Sequence, residues 1–440
     1  MKTVHDLISA DVQSFVTYLM EEDIHRFHFV TDKETGKVIP SHIQLQPIAD
    51  LIENDTRDFM QHEGAFFQVN QQFSTLQGAF VHRTCRGQAA GGIRYWSYDS
   101  VEDYIRDGLR LSKGMTRKNA LAGLWWGGGK GVMAHNPDYD KNDPAVRAEL
   151  YRDYGRLMTA IRGCYVTAED VGTSVDDMAN IFKETRFTTC IPEELGGSGN
   201  PSIPTARGVV CGMEAALDFC GMGTLEGKVV AVQGMGHVGS PLIRFLFEKN
   251  VGKIIACDIN PENVEALKQE FAERHFETTA VPRGDTSILS EECDVVAPCA
   301  TGAILNPQTI PGIKAKIVCG AANNQLEDAE RDDVLLQKHG VVYVPDFLNN
   351  RMGIVNCADE QFGYVANDPM FEKHLSREWK HSIYQTTLTV LQKSKETGES
   401  PGLVAMKLAD ELSLQPHPIF GHRGQQIIDS LVADKWYEQN

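Results

Sequence analysis

The chain has 440 residues, of which 42% are hydrophobic and 23% are charged. This length and composition predict two or three globular domains with sizeable cores, and they exclude a largely disordered chain. Sixty acidic residues against 42 basic ones give a formal net charge of −18. Such a charge argues against a general surface for nucleic acid or for an anionic membrane, so we expect neither as a partner.

Nothing in the sequence predicts export, a membrane span or a metal site. The start lacks the apolar core of a secretory signal, because acidic residues at 11 and 21–23 follow soon after it. No apolar run is long enough to cross a bilayer. The ten cysteines are scattered, as reduced core cysteines are, and no Cys-x-x-Cys pair suggests zinc. We therefore expect a cytoplasmic protein without a metal.

The first clear element is an amphipathic helix that a capping box at Ser100 and Asp103 opens. Lys118 should fall near the end of this helix. Lys130 directly follows three glycines, which give no side-chain cover, so we predict a tight and poorly solvated backbone turn there. Desolvation disfavours the charged ammonium and lowers the pKa of the amine towards the range useful for proton transfer.

Beyond a stretch rich in turn formers at 196–202, which marks a hinge, the chain predicts a βαβ unit. An apolar run at 228–233 indicates a buried strand, a glycine-rich loop leads into a helix at 241–248, and a second strand follows at 253–258. Asn260, followed by a proline, should cap the next helix.

Three further short apolar strands are predicted at 294–298, 315–319 and 341–345. The alternation of strands and helices favours a doubly wound parallel sheet. Apolar residues at 371, 375, 379 and 383 recur at roughly helical spacing. They predict helical structure that packs back on the first domain, which would then be discontinuous in sequence.

The glycine-rich loop follows a strand and opens a helix, which is the context that a dinucleotide-binding signature requires. Its first glycine permits a tight turn, the second lets the backbone approach a pyrophosphate, and the third allows close helix packing. The helix N-terminus stabilises the phosphate charge. The loop residues assigned to the cofactor are Gly234, Gly236, His237, Val238 and Gly239. His237 is interpreted as a variable position rather than a catalyst.

Asp258 ends the second strand, where its carboxylate can accept hydrogen bonds from the adenine-side ribose hydroxyls. The same charge would repel a 2′-phosphate, so the sequence favours NAD over NADP as the cofactor. The alternative interpretation is that Asp258 only terminates the strand.

Seven segments carry a further pattern, in order along the chain: residues 91–96, 113–120, 127–130, 165–173, 198–202, 320–326 and 356–360. Together they resemble the glutamate, leucine, phenylalanine and valine dehydrogenase family, and they are most similar to its leucine dehydrogenase branch. The resemblance implies reversible, NAD-dependent oxidative deamination of an L-amino acid to a 2-oxo acid and ammonia, by a homo-oligomer.

The expected fold is therefore α/β with two domains. A substrate-binding and oligomerisation domain covers residues 1–200, and an NAD-binding Rossmann domain covers 201–346. The C-terminal helices, 347–440, return to the first domain. The rings of Phe66, Phe67 and Phe73 are expected to extend the subunit interface.

By the same resemblance, Lys130 is the catalytic amine, which activates water against the iminium that hydride transfer leaves. Asp170 orients the substrate amine and relays protons. Lys118 pairs with the substrate carboxylate, helped by the close backbone at Gly91 and Gly92. Taken singly, each charged residue has an alternative interpretation as a solvated surface group or a turn cap.

The resemblance also assigns residues near the nicotinamide. Thr205 contacts the nicotinamide carboxamide, and Asn323 belongs to the cofactor site. Asn324 binds the substrate or the nicotinamide side of the cleft. Arg351 departs from the family pattern, and it either adds charge at the cleft mouth or points to solvent.

Four nearly apolar residues should surround the substrate side chain: Ala90, Ala168, Ile354 and Cys357. Glutamate enzymes carry lysine and serine at the positions of Ala90 and Cys357, so a second carboxylate would be buried here without partners. A branched-chain or an aromatic substrate remains open, since the small Ala90 enlarges the pocket and the bulky Ile354 narrows it. A non-catalytic NAD sensor and a glutamate enzyme with a rearranged pocket are the other hypotheses.

Overall fold

A computed structural model describes residues 7–439 and divides the chain into two compact units. The first unit runs from the first described residue to Asn200 and also includes Cys357–Tyr364 and the chain from Asp410 onwards. The second unit comprises Pro201–Asn356 and Val365–Ala409. Residues 347–356 and 365–409, which we expected with the first domain, thus lie in the second unit, because side chains such as Leu391 pack into its core.

The first unit is built on a seven-stranded mixed sheet. Its strands are β1 (Arg26–Thr31), β2 (Val38–Pro40), β3 (Gly64–Asn70), β4 (Thr75–Arg83), β5 (Ala89–Trp96), β6 (Gly127–Ala134) and β7 (Tyr165–Ala168). The strand order is β2-β1-β3-β4-β6-β5-β7. Strand β5 pairs in parallel with both β6 and β7, whereas the other pairings are antiparallel. Three segments that are distant in sequence therefore lie side by side.

Residues 12–182 include five α-helices beside this sheet. They are α1 (Val12–Glu21), α2 (Gln46–Asn54), α3 (Val101–Leu121), α4 (Pro144–Ala160) and α5 (Val175–Phe182). The predicted start of α3 is confirmed, since the Ser100 hydroxyl accepts a hydrogen bond from the Asp103 amide at 3.1 Å. Lys118 lies in the last turn of α3, as predicted.

The phenylalanines that we expected at a subunit interface pack inside the first unit instead. Phe66 and Phe67 are fully buried, and Phe73 is 8% exposed. The Phe67 ring stacks on Phe27 with centroids 4.7 Å apart. Phe66 and Phe67 belong to β3, every residue of which is buried, and Phe73 follows shortly after this strand.

The second unit confirms the doubly wound parallel sheet. Its strands are β8 (Val229–Gln233), β9 (Lys253–Asp258), β10 (Phe276–Ala280), β11 (Val295–Pro298), β12 (Ile317–Val318) and β13 (Val342–Tyr343). They are all parallel, in the order β10-β9-β8-β11-β12-β13. The sequence did not predict the edge strand β10, because its residues are exposed or half-buried and form no apolar run.

Helices cover both faces of this second sheet. They include α6 (Ser202–Phe219), α7 (Gly239–Glu248), α8 (Pro261–Glu270), α9 (Arg331–Lys338) and the short α10 (Asp346–Asn349). Alternate residues of β8 enter two separate cores, Val230 and Val232 on one face and Ala231 on the other. The predicted cap of α8 is confirmed, since the Asn260 side chain accepts from the Glu262 amide at 2.9 Å.

The C-terminal part of the chain is helical but not in the predicted register. Its helices are α11 (Met352–Glu360), α12 (Pro369–Lys373), α13 (Ile383–Thr397), α14 (Pro401–Ser413) and α15 (Arg423–Ala433). Residues 371–383 do not form one helix, because Ser382 caps a new one by accepting from the Gln385 amide at 3.1 Å. Among residues 7–439, every helix is too short or too polar to cross a bilayer.

Candidate active site

The centre of the candidate site is an ion pair between Lys130 on β6 and Asp170, two residues beyond β7. The Nζ atom of Lys130 lies 2.7 Å from Oδ2 of Asp170. The Lys130 side chain is 4% exposed and that of Asp170 is 20% exposed. Two of the residues that the sequence singled out for catalysis are therefore brought together in a nearly water-free position.

Lys130 lies within a strand, so the predicted turn at this position is wrong. The preceding glycines serve close packing rather than a turn. A Cβ atom at Gly128 would lie 2.5 Å from the Cα of Thr116 on α3, and one at Gly129 would lie 2.5 Å from the Tyr165 ring. Other parts of the chain pack closely on both faces of β6, so the strand has room only for glycine before Lys130. The same close packing keeps water away from the Lys130 amine.

Gly92 on β5 explains how the lysine and the aspartate can meet. The register pairs Ala90 with Gly128 and Ile93 with Gly131, which sets Gly92 opposite Lys130. On the other side, Gly92 pairs with Ala168 of β7. A Cβ atom at Gly92 would lie 2.7 Å from the Cβ of Asp170 and 2.5 Å from the Glu169 carbonyl oxygen. The missing side chain thus leaves the space in which the ion pair forms.

Sequence reasoning missed Arg94, which lies on the same face of β5 as Gly92, two residues along. Its Nε atom lies 3.5 Å from Oδ2 of Asp170, and its Nη1 atom lies 3.0 Å from Oδ2 of Asp107. The Tyr98 hydroxyl also donates to Asp107 at 2.8 Å. Arg94 is part of the segment 91–96 that carried the family resemblance, so strand alternation from Gly92 was a signal that could have found it.

Burial and charge act in opposite directions on the two members of the ion pair. Burial lowers the pKa of Lys130, although the charge of Asp170 partly restores it. Burial raises the pKa of Asp170, but the charges of Lys130 and Arg94 outweigh burial and hold it below its usual value. The amine of Lys130 therefore releases its proton more readily than that of an exposed lysine, and it does so next to a carboxylate whose pKa is held below its usual value.

A second carboxyl group, Glu169, lies beside this pair and was not assigned a role from the sequence. Burial, followed by the charges of Asp177 and Asp170, raises the pKa of Glu169 to about 7. Its Oε2 atom is buried and has no hydrogen-bond partner among the described residues. The Glu169 carboxyl therefore changes its charge near neutral pH. Its place beside the ion pair would let it serve as an additional proton acceptor or donor.

Asn119, also missed, fixes the end of α3 that carries Lys118. Its Nδ2 atom donates to the Gly127 carbonyl at 2.6 Å and to the Ala90 carbonyl at 3.2 Å. These bonds tie the helix to the first residues of β5 and β6. Lys118 is half-buried, and its backbone is thereby held at a defined distance from the strand that bears Lys130.

The backbone of Gly91 and Gly92 has less freedom towards a substrate than we expected. The Gly91 carbonyl already accepts a hydrogen bond from the Tyr165 hydroxyl at 2.5 Å. A Cβ atom at Gly91 would lie 2.7 Å from the Met115 side chain. Close packing within the first unit already requires glycine at both positions. A role in holding the substrate carboxylate would come in addition to this packing role.

Three of the residues expected around the substrate side chain are buried in the first unit: Ala90, Ala168 and Cys357, which are 1%, 4% and 3% exposed. Ile354 and Cys357 share one face of α11, as their spacing predicted. The Sγ atom of Cys357 lies 3.3 Å from that of Cys190, a residue that the sequence did not single out. Both thiols are free.

Glu360, in the last of the matched segments, is an anchor for the chain around Cys190. Its carboxylate accepts hydrogen bonds from the amides of Cys190 at 2.8 Å and Ile191 at 3.1 Å, and from the Ser198 hydroxyl at 2.5 Å. Cys190 itself has a positive φ of 59°. The glutamate thus holds an unfavourable backbone conformation that brings the two thiols together.

Arg351 neither adds charge at a cleft mouth nor points to solvent, so both expectations for it are wrong. The side chain is fully buried within the second unit. Its guanidinium donates to the His381 carbonyl and, at 3.3 Å, to the Thr386 hydroxyl. Burial lowers the pKa of Arg351 to about 9. The arginine joins α11 to the start of α13, a contact that no local pattern indicated.

The glycine-rich loop of the second unit is tightly packed at its first and third glycines and open at its second. Gly234 has a φ of 91°, which favours glycine, and a Cβ atom at Gly239 would collide with the Gly234 carbonyl. A Cβ atom at Gly236 would meet nothing within 4 Å. His237 is exposed and Val238 half-buried. The loop therefore leaves its second glycine open to a ligand at the N-terminus of α7.

The Asp258 carboxylate is held by backbone amides at the end of β9. One oxygen accepts from the Met235 amide at 2.5 Å and the other from the Asn260 amide at 2.7 Å. The group thus closes the glycine-rich loop through its bonds to these two amides. Thr205 is near the start of α6, where its hydroxyl donates to the Pro201 carbonyl at 2.8 Å.

Asn323 and Asn324 lie in the loop after β12. The Asn323 side chain accepts a hydrogen bond from Asn350 at 2.8 Å. Asn324 is exposed and has a positive φ of 53°, which asparagine tolerates. The next residue, Gln325, was missed by the sequence analysis, although it is fully buried and donates to the Gly320 carbonyl at 2.8 Å. This bond fixes the loop that presents both asparagines.

Known protein families match most of the chain. A family described as Glu/Leu/Phe/Val dehydrogenase, dimerisation domain, matches residues 64–187. A second, described as Glutamate/Leucine/Phenylalanine/Valine dehydrogenase, matches residues 196–412. The chain belongs to this dehydrogenase family. Its members use pyridine nucleotides to oxidise amino acids.

Individual relatives agree with this assignment. The chain is 43% identical to leucine dehydrogenase of Bacillus subtilis over 351 residues, which are 80% of this chain and 91% of the relative. It is 38% identical to valine dehydrogenase of Streptomyces coelicolor over 77% of this chain and 88% of the relative. The crystal structure of L-tryptophan dehydrogenase from Nostoc punctiforme superposes with a TM-score of 0.65 at 34% identity, covering 80% of this chain and 96% of that one.

Proposed function

We propose that this protein is an NAD-dependent L-amino acid dehydrogenase that converts a non-acidic amino acid reversibly to its 2-oxo acid and ammonia. Branched-chain amino acids such as leucine, valine and isoleucine are the proposed substrates. The observation that carries this proposal is the buried ion pair of Lys130 and Asp170 in a chain that is 43% identical to a leucine dehydrogenase.

Within the first unit, Lys130 is proposed to act as the base. Its low exposure and lowered pKa favour the neutral amine, which can take a proton from the water that attacks the substrate iminium. Asp170 holds the amine in place and stabilises its charged form once the proton has moved. Lys118, in the last turn of α3, is proposed to pair with the substrate carboxylate. The backbone of Gly91 and Gly92 is proposed to lie close to the same substrate carboxylate.

The second unit is proposed to hold the dinucleotide. Gly234, Gly236 and Gly239 shape a loop whose open face receives the pyrophosphate, with His237 and Val238 beside it. When bound, NAD supplies the acceptor for the hydride that leaves the substrate. Asp258 supports NAD over NADP, because its carboxylate would repel a 2′-phosphate. Thr205, Asn323 and Asn324 are proposed to contact the nicotinamide half.

The substrate class follows from the residues assigned to the pocket. Ala90, Ala168 and Cys357 offer neither charge nor strong hydrogen bonds to a second carboxylate, and Ile354 adds only apolar surface. A buried and unpaired carboxylate is costly, so glutamate is disfavoured. An aromatic substrate is the second candidate, because the small Ala90 enlarges the pocket and the Nostoc punctiforme relative is named a tryptophan dehydrogenase.

We also propose a homo-oligomer and a cytoplasmic location. The family description of residues 64–187 as a dimerisation domain supports the first. All ten cysteines are free thiols, which supports a reducing compartment.

The deciding experiment measures NADH formation with leucine, valine, isoleucine, phenylalanine, tryptophan and glutamate. We expect turnover with branched-chain substrates and its loss in Lys130→Ala. Lys183→Ala removes an exposed lysine of the same unit and is the matched control. Full activity of Lys130→Ala would exclude Lys130 as the base of the reaction. NAD binding without turnover of any of these substrates would favour a sensor instead.

A further inference from the structure

We propose that Glu63, Cys85 and His422 form a binding site for a zinc-type divalent cation in the first unit. One carboxylate oxygen, one sulfur and one imidazole nitrogen from these residues lie within 4.8 Å of one another. This mixed oxygen, sulfur and nitrogen donor set suits zinc, which takes all three ligand types. No sequence motif indicated this site, since its ligands form no short spacing pattern.

The fold places the three donors beside the ends of two central strands of the first sheet. Glu63 directly precedes β3, and Cys85 follows β4, which pairs antiparallel with β3. The Glu63 amide donates to the His82 carbonyl at 3.1 Å, which continues this ladder beyond the two strands. His422 directly precedes α15. Two strand ends and a helix start therefore converge on the proposed cation.

The start of α15 can approach these strand ends because residue 424 is a glycine. A Cβ atom at Gly424 would lie 2.5 Å from the Thr84 hydroxyl oxygen. The Thr84 amide donates to a Glu63 carboxylate oxygen at 2.9 Å, and its hydroxyl donates to the other oxygen. These bonds orient the carboxylate and still leave lone pairs for a metal.

The loop that carries Cys85 is fixed from both sides. The Cys85 carbonyl accepts a hydrogen bond from the His417 amide at 3.0 Å. The guanidinium of Arg86 lies 4.3 Å from the centre of the Trp125 ring, and its Nε atom donates to the Leu124 carbonyl at 2.8 Å. A cation would thus meet donors whose backbone is already in place, and only side-chain rotations would be needed.

Two of the three side chains, His422 and Glu63, also contact one another directly. His422 Nε2 lies 2.9 Å from a Glu63 oxygen and 3.1 Å from the Thr84 hydroxyl. The donors of a four-coordinate zinc ion lie about 3–4 Å apart, so the observed spacing needs little adjustment. All three proposed ligands are half-buried, which leaves water access to the fourth position. The cation would clamp α15 to the ends of β3 and β4.

Cobalt(II) substitution of the full-length protein tests this proposal, because it reports on thiolate ligation directly. After treatment with a chelator, addition of Co²⁺ should give visible bands of a four-coordinate ion and a near-ultraviolet charge-transfer band from sulfur. The bands should saturate at one ion per chain, and Zn²⁺ should displace them. Cys85→Ser should abolish the charge-transfer band, and His422→Gln should weaken binding.

Cys220→Ser, which alters a half-buried cysteine of the second unit, is the matched control and should keep the band. X-ray absorption of the zinc-loaded wild-type protein should show one sulfur ligand with the remainder nitrogen and oxygen, whatever the folding of the variants. Failure of the wild type to give a thiolate band, or an unchanged band in Cys85→Ser, would overturn the proposal and leave a hydrogen-bonded clamp only. Neither outcome bears on the dehydrogenase activity.

Discussion

The ammonium of Lys130 and the carboxylate of Asp170 meet 2.7 Å apart beside Gly92, a strand residue whose missing side chain leaves them room. Gly92→Ala should therefore displace Asp170, since the new Cβ would lie 2.7 Å from the aspartate Cβ. We expect kcat to fall at least ~100-fold, the scale for a misplaced catalytic group. Steady-state kinetics with the preferred amino acid measures this loss.

The control for this substitution is Gly114→Ala on α3, where a Cβ would meet nothing within 4 Å. Its activity should stay at the wild-type level, and its stability should rise by about 0.5–1 kcal/mol, since alanine suits a helix better than glycine. Equal activity of the two alanine variants would show that the ion pair does not depend on Gly92.

Asp170→Asn should change the pH dependence of the reaction as well as its rate. Asp170 raises the pKa of Lys130 against the lowering by burial, so its removal lowers that pKa further. If neutral Lys130 is the base, the acidic limb of the kcat/KM profile moves to lower pH, while kcat falls about 10²–10⁴-fold. The exposed Asp176, changed to Asn, is the control. If kcat falls but the acidic limb of the profile stays at the same pH, that limb reports the titration of a group other than Lys130.

Glu169→Gln should make the protein's stability less dependent on pH. Because burial raises the pKa of Glu169 to about 7, the folded state holds this proton more tightly than the unfolded state, whose carboxyl has a usual pKa of 4.5. The wild-type free energy of unfolding should thus fall, relative to the variant, as pH rises from 4.5 to 7, and the difference should stay constant above that. We expect a difference of about 1–2 kcal/mol after solvent screening.

Urea unfolding of both proteins at pH 5 and pH 8 measures this difference, because other titrating groups cancel between them. The difference in unfolding free energy between wild type and Glu169→Gln would be the same at both pH values only if Glu169 of the folded protein were already ionised at pH 5, and that result would contradict the raised pKa.

Asp258→Ser should weaken the preference for NAD over NADP by at least ~10-fold in the ratio of kcat/KM values, since the charge that repels a 2′-phosphate is removed. Asp258→Asn separates charge from shape, because the amide oxygen can still accept from the Met235 or the Asn260 amide. The same shift in both variants would assign the preference to charge. No shift in either would leave Asp258 as the residue that closes the glycine loop.

Ala90→Leu tests the open choice between branched-chain and aromatic substrates. Ala90 is 1% exposed, so added methyl groups must occupy the space assigned to the substrate or displace the core. We expect the ratio of kcat/KM for phenylalanine to that for leucine to fall about 10-fold or more, the scale for a few methylene groups in a pocket. Ala79→Leu, at a fully buried position of β4, is the control for general core damage. Equal selectivity in wild type and Ala90→Leu would place Ala90 away from the substrate side chain.

Elements whose signals are local could be predicted from the amino-acid sequence. The capped start of α3, the strands β8 and β9 with the glycine loop between them, and the Asn260 cap of α8 all follow from residues within a few positions of one another. Such elements depend on hydrogen bonds and on apolar periodicity that neighbouring residues set. The edge strand β10 lacked that periodicity and was missed.

Contacts between side chains that are distant in sequence could not be predicted and depend on the folded arrangement. Arg94 joins the pair of Lys130 and Asp170 because the sheet order sets β5 between β6 and β7. The burial of Arg351 and the meeting of Glu63 with His422 likewise depend on how helices pack far along the chain. Sheet order and helix packing are set by the burial of whole faces, which sums many weak contributions over the chain, so no single segment encodes them.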